Sequence, residues 1–106
     1  MNSDNVYISE FIGNEVNIRK SSNINNINIH GKLINETKNM MFIQNNNKIM
    51  KIPKHRTIFT IKFGNCFYDM DGDIIMIRPE DRTKDRRRIY KKLRSNDGNE
   101  KHRNRC

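Results

Sequence analysis

Four carboxylates crowd one stretch of the chain: Asp69, Asp71, Asp73 and Glu80 stand at positions 1, 3, 5 and 12 of a calcium-loop spacing. Position 6 of that loop must be glycine for its sharp turn, and here it is Ile74, between flanks that alternate like strands rather than helices. The cluster therefore reads as an acidic hairpin turn. His30, His55, His102, Cys66 and Cys106 carry metal-ligating atoms, yet no pair has the C-x-x-C or H-x-x-x-H spacing of a structural zinc site. Cys66 as a nucleophile would need a base nearby in space, a role open to His30 or His55, but a core or interface thiol is expected instead. Two cysteines do not make a disulfide framework. Two-metal phosphodiester cleavage needs convergent carboxylates, and the one dense acidic cluster is the turn just described. Glycine-rich phosphate loops are absent from the sequence. The chain alone is expected to be inactive as a catalyst and to bind no cofactor.

Its cations point to binding. Lys and Arg number 21 against 12 Asp and Glu, a net charge of +9. Residues 1–77 hold a net of +2 and residues 78–106 a net of +7. A localised positive field suits a polyanion, and nucleic acid is the commonest intracellular one. The competing reading is a solubilising tail, because blocks of like charge are often only solvated. The candidate phosphate-binding set is Lys32, Lys38, Lys54, Arg56 and Arg78 in the body of the chain. Arg82, Lys84, Arg86, Arg87, Arg88, Lys91 and Lys92 complete it in the basic segment. Exposed aromatics can stack bases, but in so small a core Phe59, Phe63 and Phe67 are expected inside, with Tyr68 open to either side.

These side chains need a scaffold, and 106 residues suffice for one domain. From Glu15 to Pro79 the apolar residues recur at period two, the spacing of half-buried strands. Asn45–Asn47, Gly64-Asn65 and Asp71-Gly72-Asp73 supply turns, Pro53 stops a strand, and Ile74 to Arg78 reads as a last apolar strand. Gly31 suggests a bend or bulge. Six or seven short strands without helical spacers exclude βαβ units. They predict an all-β fold, a small antiparallel barrel over residues 11–79, since closure removes exposed edges. Residues 1–10 read as a flexible arm with a helical turn near Val6 to Phe11, and 80–94 as a basic helix opened by Pro79 and acidic residues, with Ile89 and Leu93 on the face that docks. Residues 95–106 read as a disordered tail. The longest apolar run, Ile74 to Ile77, falls far short of the roughly 20 residues that cross a bilayer, and the N-terminus lacks the features of a signal peptide. A soluble, cytoplasmic protein is expected, with Asn35-Glu36-Thr37 an idle glycosylation sequon.

Five blocks in order resemble a known family: Phe11-Ile12-Gly13-Asn14-Glu15-Val16, Ile29 through Asn39, Ile52-Pro53-Lys54, Met70-Asp71-Gly72-Asp73-Ile74-Ile75, and Arg78-Pro79-Glu80-Asp81-Arg82. They are similar to those of archaeal ribonuclease P protein component 1, over roughly residues 11–88, with departures in the asparagine-rich stretches 21–28 and 45–47 and in the cysteine-ended tail. The resemblance implies an Sm-like barrel in a ribonucleoprotein whose RNA subunit, using magnesium, cuts the 5′ leader from precursor tRNA. It implies as partners the ribonuclease P RNA, a zinc-ribbon protein subunit and, through the complex, precursor tRNA. Two other readings stand beside it: a ring-forming Sm-like RNA-binding protein, and a protein adaptor whose basic tail holds an acidic partner.

Overall fold

The computed structural model of the protein describes residues 3–95 and 104–105. The period-two pattern becomes six strands: β1 (Glu15–Lys20), β2 (His30–Glu36), β3 (Met40–Asn45), β4 (Lys48–Pro53), β5 (Ile58–Phe63) and β6 (Cys66–Asp71). They pair antiparallel in the order β4-β3-β2-β1-β5-β6, a curled, barrel-like sheet, and a two-residue strand β7 (Asn104–Arg105) is added outside β6. β4 and β7 are the two ends of this sheet among the described residues. The inward residues follow the alternation: Val16 and Ile18 on β1, Met41 and Ile43 on β3, Phe59 and Ile61 on β5, Tyr68 and Met70 on β6 are all buried.

Local irregularities shape the site. Between Leu33 and Asn35 the β2–β3 register shifts by a bulge, so Leu33 and Glu36, three residues apart, both point inward. Gly31 is not the bulge. A Cβ there would lie 2.3 Å from the Gln44 carbonyl oxygen, so its bare Cα lets β2 and β3 close on each other. The turn after β6 is equally tight, for a Cβ on Gly72 would lie 2.0 Å from the Lys54 carbonyl oxygen.

Residues 74–78 correct the expectation of a final strand. The Ile74 and Ile75 amides donate to Asp71 and Gly72 carbonyls in local turns, and the carbonyls of Ile75 and Ile77 accept from the Lys54 ammonium. Ile74, Ile75 and Ile77 are nonetheless core residues. The N-terminal stretch is not a free arm: α1 (Ser3–Tyr7) packs Val6 and Tyr7 into the core with Phe11, and the Asp71 amide donates to the Tyr7 hydroxyl at 2.9 Å. The basic helix is two, α2 (Pro79–Lys84) and α3 (Arg86–Ser95), broken where Asp85 leaves the helical region at ψ 75°. Ile89 is buried and Leu93 packs against the core, so the apolar stripe of α3 docks as its spacing predicts.

The expected disordered tail lies outside the described residues except for Ser95, which ends α3, and Asn104–Arg105, whose backbone pairs with Tyr68 and Phe67. Cys66 is disulfide-bonded rather than the expected thiol. Two aromatic expectations also resolve: Tyr68 is inside, while Phe67, expected in the core, is 41% exposed because it occupies an outward position of β6.

Candidate nucleic-acid interface

The cations chosen from the sequence divide into two sets. Lys54 and Arg82 are 0% exposed, a correction to their assignment as phosphate contacts, because both are committed to one carboxylate. Arg82 grips Glu36 with both ends of its guanidinium, Nη1 to Oε1 at 2.7 Å and Nη2 to Oε2 at 2.9 Å. The Lys54 ammonium donates to Glu36 Oε1 at 2.9 Å. One negative charge faces two positive ones, and the surplus is met by backbone carbonyls. Ile75 and Ile77 accept from Lys54, and Ser9 accepts from Arg82 Nη2 at 3.2 Å. The Phe11 ring lies 4.1 Å from the guanidinium carbon, a cation–π contact inside the protein.

Burial works to raise the Glu36 carboxyl, but the hydrogen bonds and charges of Arg82 and Lys54 outweigh it and hold it below the ordinary carboxylate value. For Lys54, burial wins over the attraction of Glu36 and lowers the ammonium from its usual value. All five blocks behind the family resemblance meet at this point. Phe11 brings the ring, Glu36 the carboxylate, Lys54 and Arg82 the cations, and the Gly72 turn the close approach that aims the Ile75 carbonyl at Lys54.

The second set is on the surface. Lys32, Lys38, Arg56, Arg78, Lys84, Arg86, Arg87, Arg88 and Lys91 are exposed, and Lys92 is half-buried. Part of this set gathers around Asp73. The Asp73 carboxylate accepts from the Arg56 amide at 3.0 Å and pairs with His55 Nδ1 at 2.8 Å, and its carbonyl accepts from Lys92 Nζ at 3.5 Å. The Lys92 ammonium is lowered first by burial, then by Arg88 and Lys38, against the attraction of Asp73. Lys38 from the β2–β3 turn, Arg56 after β4, and Arg88 and Lys92 of α3 therefore share one electrostatic neighbourhood. The loop cations flank α3 across a single acidic corner. Arg88 also faces Asp85 at 3.8 Å, an exposed pair of little energetic weight. Lys32 stands apart on the outer face of the sheet, in a groove lined in part by Arg19, Lys62 and Phe67.

The acidic turn is consumed internally. Asp69 accepts from the Thr60 hydroxyl, Asp71 from the Asp73 amide, and Asp73 serves His55 and Arg56. No group of three or more His, Cys, Asp or Glu side chains is placed to hold a metal ion among the described residues. The sequence reading missed Glu36 as the counterion, which only the bulge turns inward, and it missed Arg19 and Lys62. Their signal was available in the alternation: they occupy positions opposite Ile18 and Ile61 and so face out.

Comparison with known proteins follows the same lines as the geometry. The family described as ribonuclease P/MRP, subunit p29, matches residues 4–85. Ribonuclease P protein component 1 of Thermoplasma volcanium is 43% identical over 91 residues, covering 86% of this chain and 99% of that protein. The protein of the same name from Methanocaldococcus jannaschii is 33% identical over 86 residues, covering 80% and 90%. Among solved structures, Mth11, a homologue of human RNase P protein Rpp29, superposes with a TM-score of 0.54 at 28% identity, covering 69% of this chain and 96% of its own. With the family match running from α1 through the Arg82 anchor, and relatives above 30% identity along most of their length, the chain belongs to the ribonuclease P/MRP subunit p29 family.

Proposed function

We propose that this protein is the RNA-binding, non-catalytic subunit of a ribonuclease P, supporting a catalytic RNA in removal of the 5′ leader from precursor tRNA. Membership of the p29 family carries the reading. The surface cations give it a mechanism: the buried triad consumes Lys54 and Arg82 to fix α2, and α3 then presents Arg86, Arg87, Arg88 and Lys91 outward with Ile89 inward. Fixed cations on a rigid body replace part of the ion atmosphere of a folded RNA and favour its compact form. Lys38, Arg56, Arg78, Lys84 and Lys92 extend that surface.

Magnesium belongs to the RNA in this scheme, and the chain itself binds no cofactor. The expected partners are the ribonuclease P RNA and a zinc-ribbon protein subunit, with precursor tRNA met through the complex, in the cytoplasm. No described helix is long and apolar enough to cross a membrane. Purification of the protein from native extract, followed by sequencing of the copurified RNA, tests the reading. One abundant structured RNA is the expected result, and a broad pool of messenger RNA would contradict it.

A further inference from the structure

The outer face of the curled sheet holds an open groove of about 660 Å³ that crosses β3, β2, β1, β5 and β6, away from the Asp73 corner. Strand pairing sets its residues in transverse rows. Gln44 stands opposite Lys32 and Lys32 opposite Glu15, while Lys62 stands opposite Phe67. Asn17 lies between His30 on one neighbour and Thr60 on the other. Three cations, Arg19, Lys32 and Lys62, face one carboxylate, Glu15, in this lining. Phe67 is an exposed ring in an outward strand position, with the Lys62 ammonium 5.8 Å from its centroid. The Asn17 carboxamide oxygen is buried without a hydrogen-bond partner. Turning that amide toward the groove therefore sacrifices no bond and lets it meet a polar ligand edge.

We propose that this groove seats an unpaired run of RNA, one base stacked on Phe67, phosphates held by Lys62, Lys32 and Arg19, and base edges met by the amides of Asn17 and Gln44. The inference rests on the reading of the protein as an RNA-binding subunit and adds a second, chemically different site to it. An exposed aromatic beside a cation on a sheet face matches splayed bases, whose π-faces stack without regard to sequence. An A-form duplex keeps its bases stacked within the helix and offers such a ring nothing to receive. The net positive lining favours a phosphate chain over an acidic peptide only in combination with the ring and the amides, which a peptide carboxylate would leave unused. Phe67 on β6 and Lys32 on β2 are three strand spacings apart, about 14 Å, so the occupant spans more than one nucleotide.

Anisotropy titration of the full chain with fluorescein-labelled octauridylate, beside a labelled RNA duplex, tests the site. Phe67→Ala should weaken octauridylate binding by about 5- to 150-fold and leave duplex binding unchanged, and Phe67→Trp should restore it. Lys32→Gln with Lys62→Gln should flatten the slope of log affinity against log salt by about 1.4 for the oligonucleotide. Unaltered thermal unfolding midpoints would establish that the variants are folded. Failure of the wild-type chain to bind octauridylate would overturn the proposal, as would equal affinity in Phe67→Ala. So would amide resonances of the groove that move with an oligoglutamate peptide and not with octauridylate. If Phe67→Ala is without effect while Arg86→Gln, Arg87→Gln and Arg88→Gln together weaken binding of structured RNA, the groove fails and the ribonuclease P reading stands. If a single structured RNA does not copurify with the native protein, that reading fails independently of the groove.

Discussion

Glu36 decides whether the protein holds together at its helical end. It is the sole carboxylate between two fully buried cations, and removing one member of such a group leaves an uncompensated charge in a low-dielectric site. Glu36→Gln should therefore destabilise the fold by about 3 to 5 kcal/mol in chemical denaturation, far more than Arg86→Gln on the exposed face of α3. Acid should act through the same residue. The folded-state pKa of Glu36 lies below the ordinary 4.5, so its stabilisation is complete above that value and is lost as pH falls through the folded value. A denaturation series across this range should show the loss in the wild type and a shallower one in Glu36→Gln. Lys54 follows the same direction in a higher range: its folded-state pKa lies below 10.5, so its contribution also rises as pH climbs toward that value. The identities of these residues were plain in the sequence, but their burial was not. Strict alternation from Leu33 places Glu36 outside, and only the bulge before Asn35 reverses it.

At the scale of elements, the strands and their turns were legible because one side of each strand meets the core and period two records it. Ile61→Ala should accordingly cost about 2 to 5 kcal/mol, measured by denaturation, as the loss of a fully buried side chain. The segment 74–78 was misread because a short apolar run looks the same whether its carbonyls join a ladder or, as here, face the ammonium of Lys54. The N-terminal residues were misread because five residues of helix have too few positions to show a period, while Tyr7 finds its partner, the Asp71 amide, far along the chain. Phe67 was assigned to the core on residue type alone, although its neighbour Tyr68 takes the inward position. Replacing Arg86, Arg87 and Arg88 together by Gln keeps helix propensity and removes about three phosphate contacts. RNA affinity should weaken for all sequences alike, and the log–log salt slope should shrink by about 2 to 3. An unchanged slope would mean that these arginines meet no phosphate.

The whole molecule is a small curled sheet, closed at one end by α1, the 74–78 turns and α3, with cations on two faces. Among the described residues its sheet ends in β4 and β7, and sedimentation of the isolated protein should give a monomer. A ring-sized species would favour the Sm-like ring-forming alternative. In the proposed function the protein contributes charge and shape to a catalytic RNA and performs no cleavage of its own. The most direct test is the magnesium dependence of precursor tRNA cleavage by a ribonuclease P RNA, with and without the full chain and the proposed zinc-ribbon subunit. The pair should lower the magnesium concentration for half-maximal cleavage, while the chain alone should cut nothing at any magnesium concentration. Cleavage by the isolated protein, or a magnesium requirement that does not move when the pair is added, would contradict it.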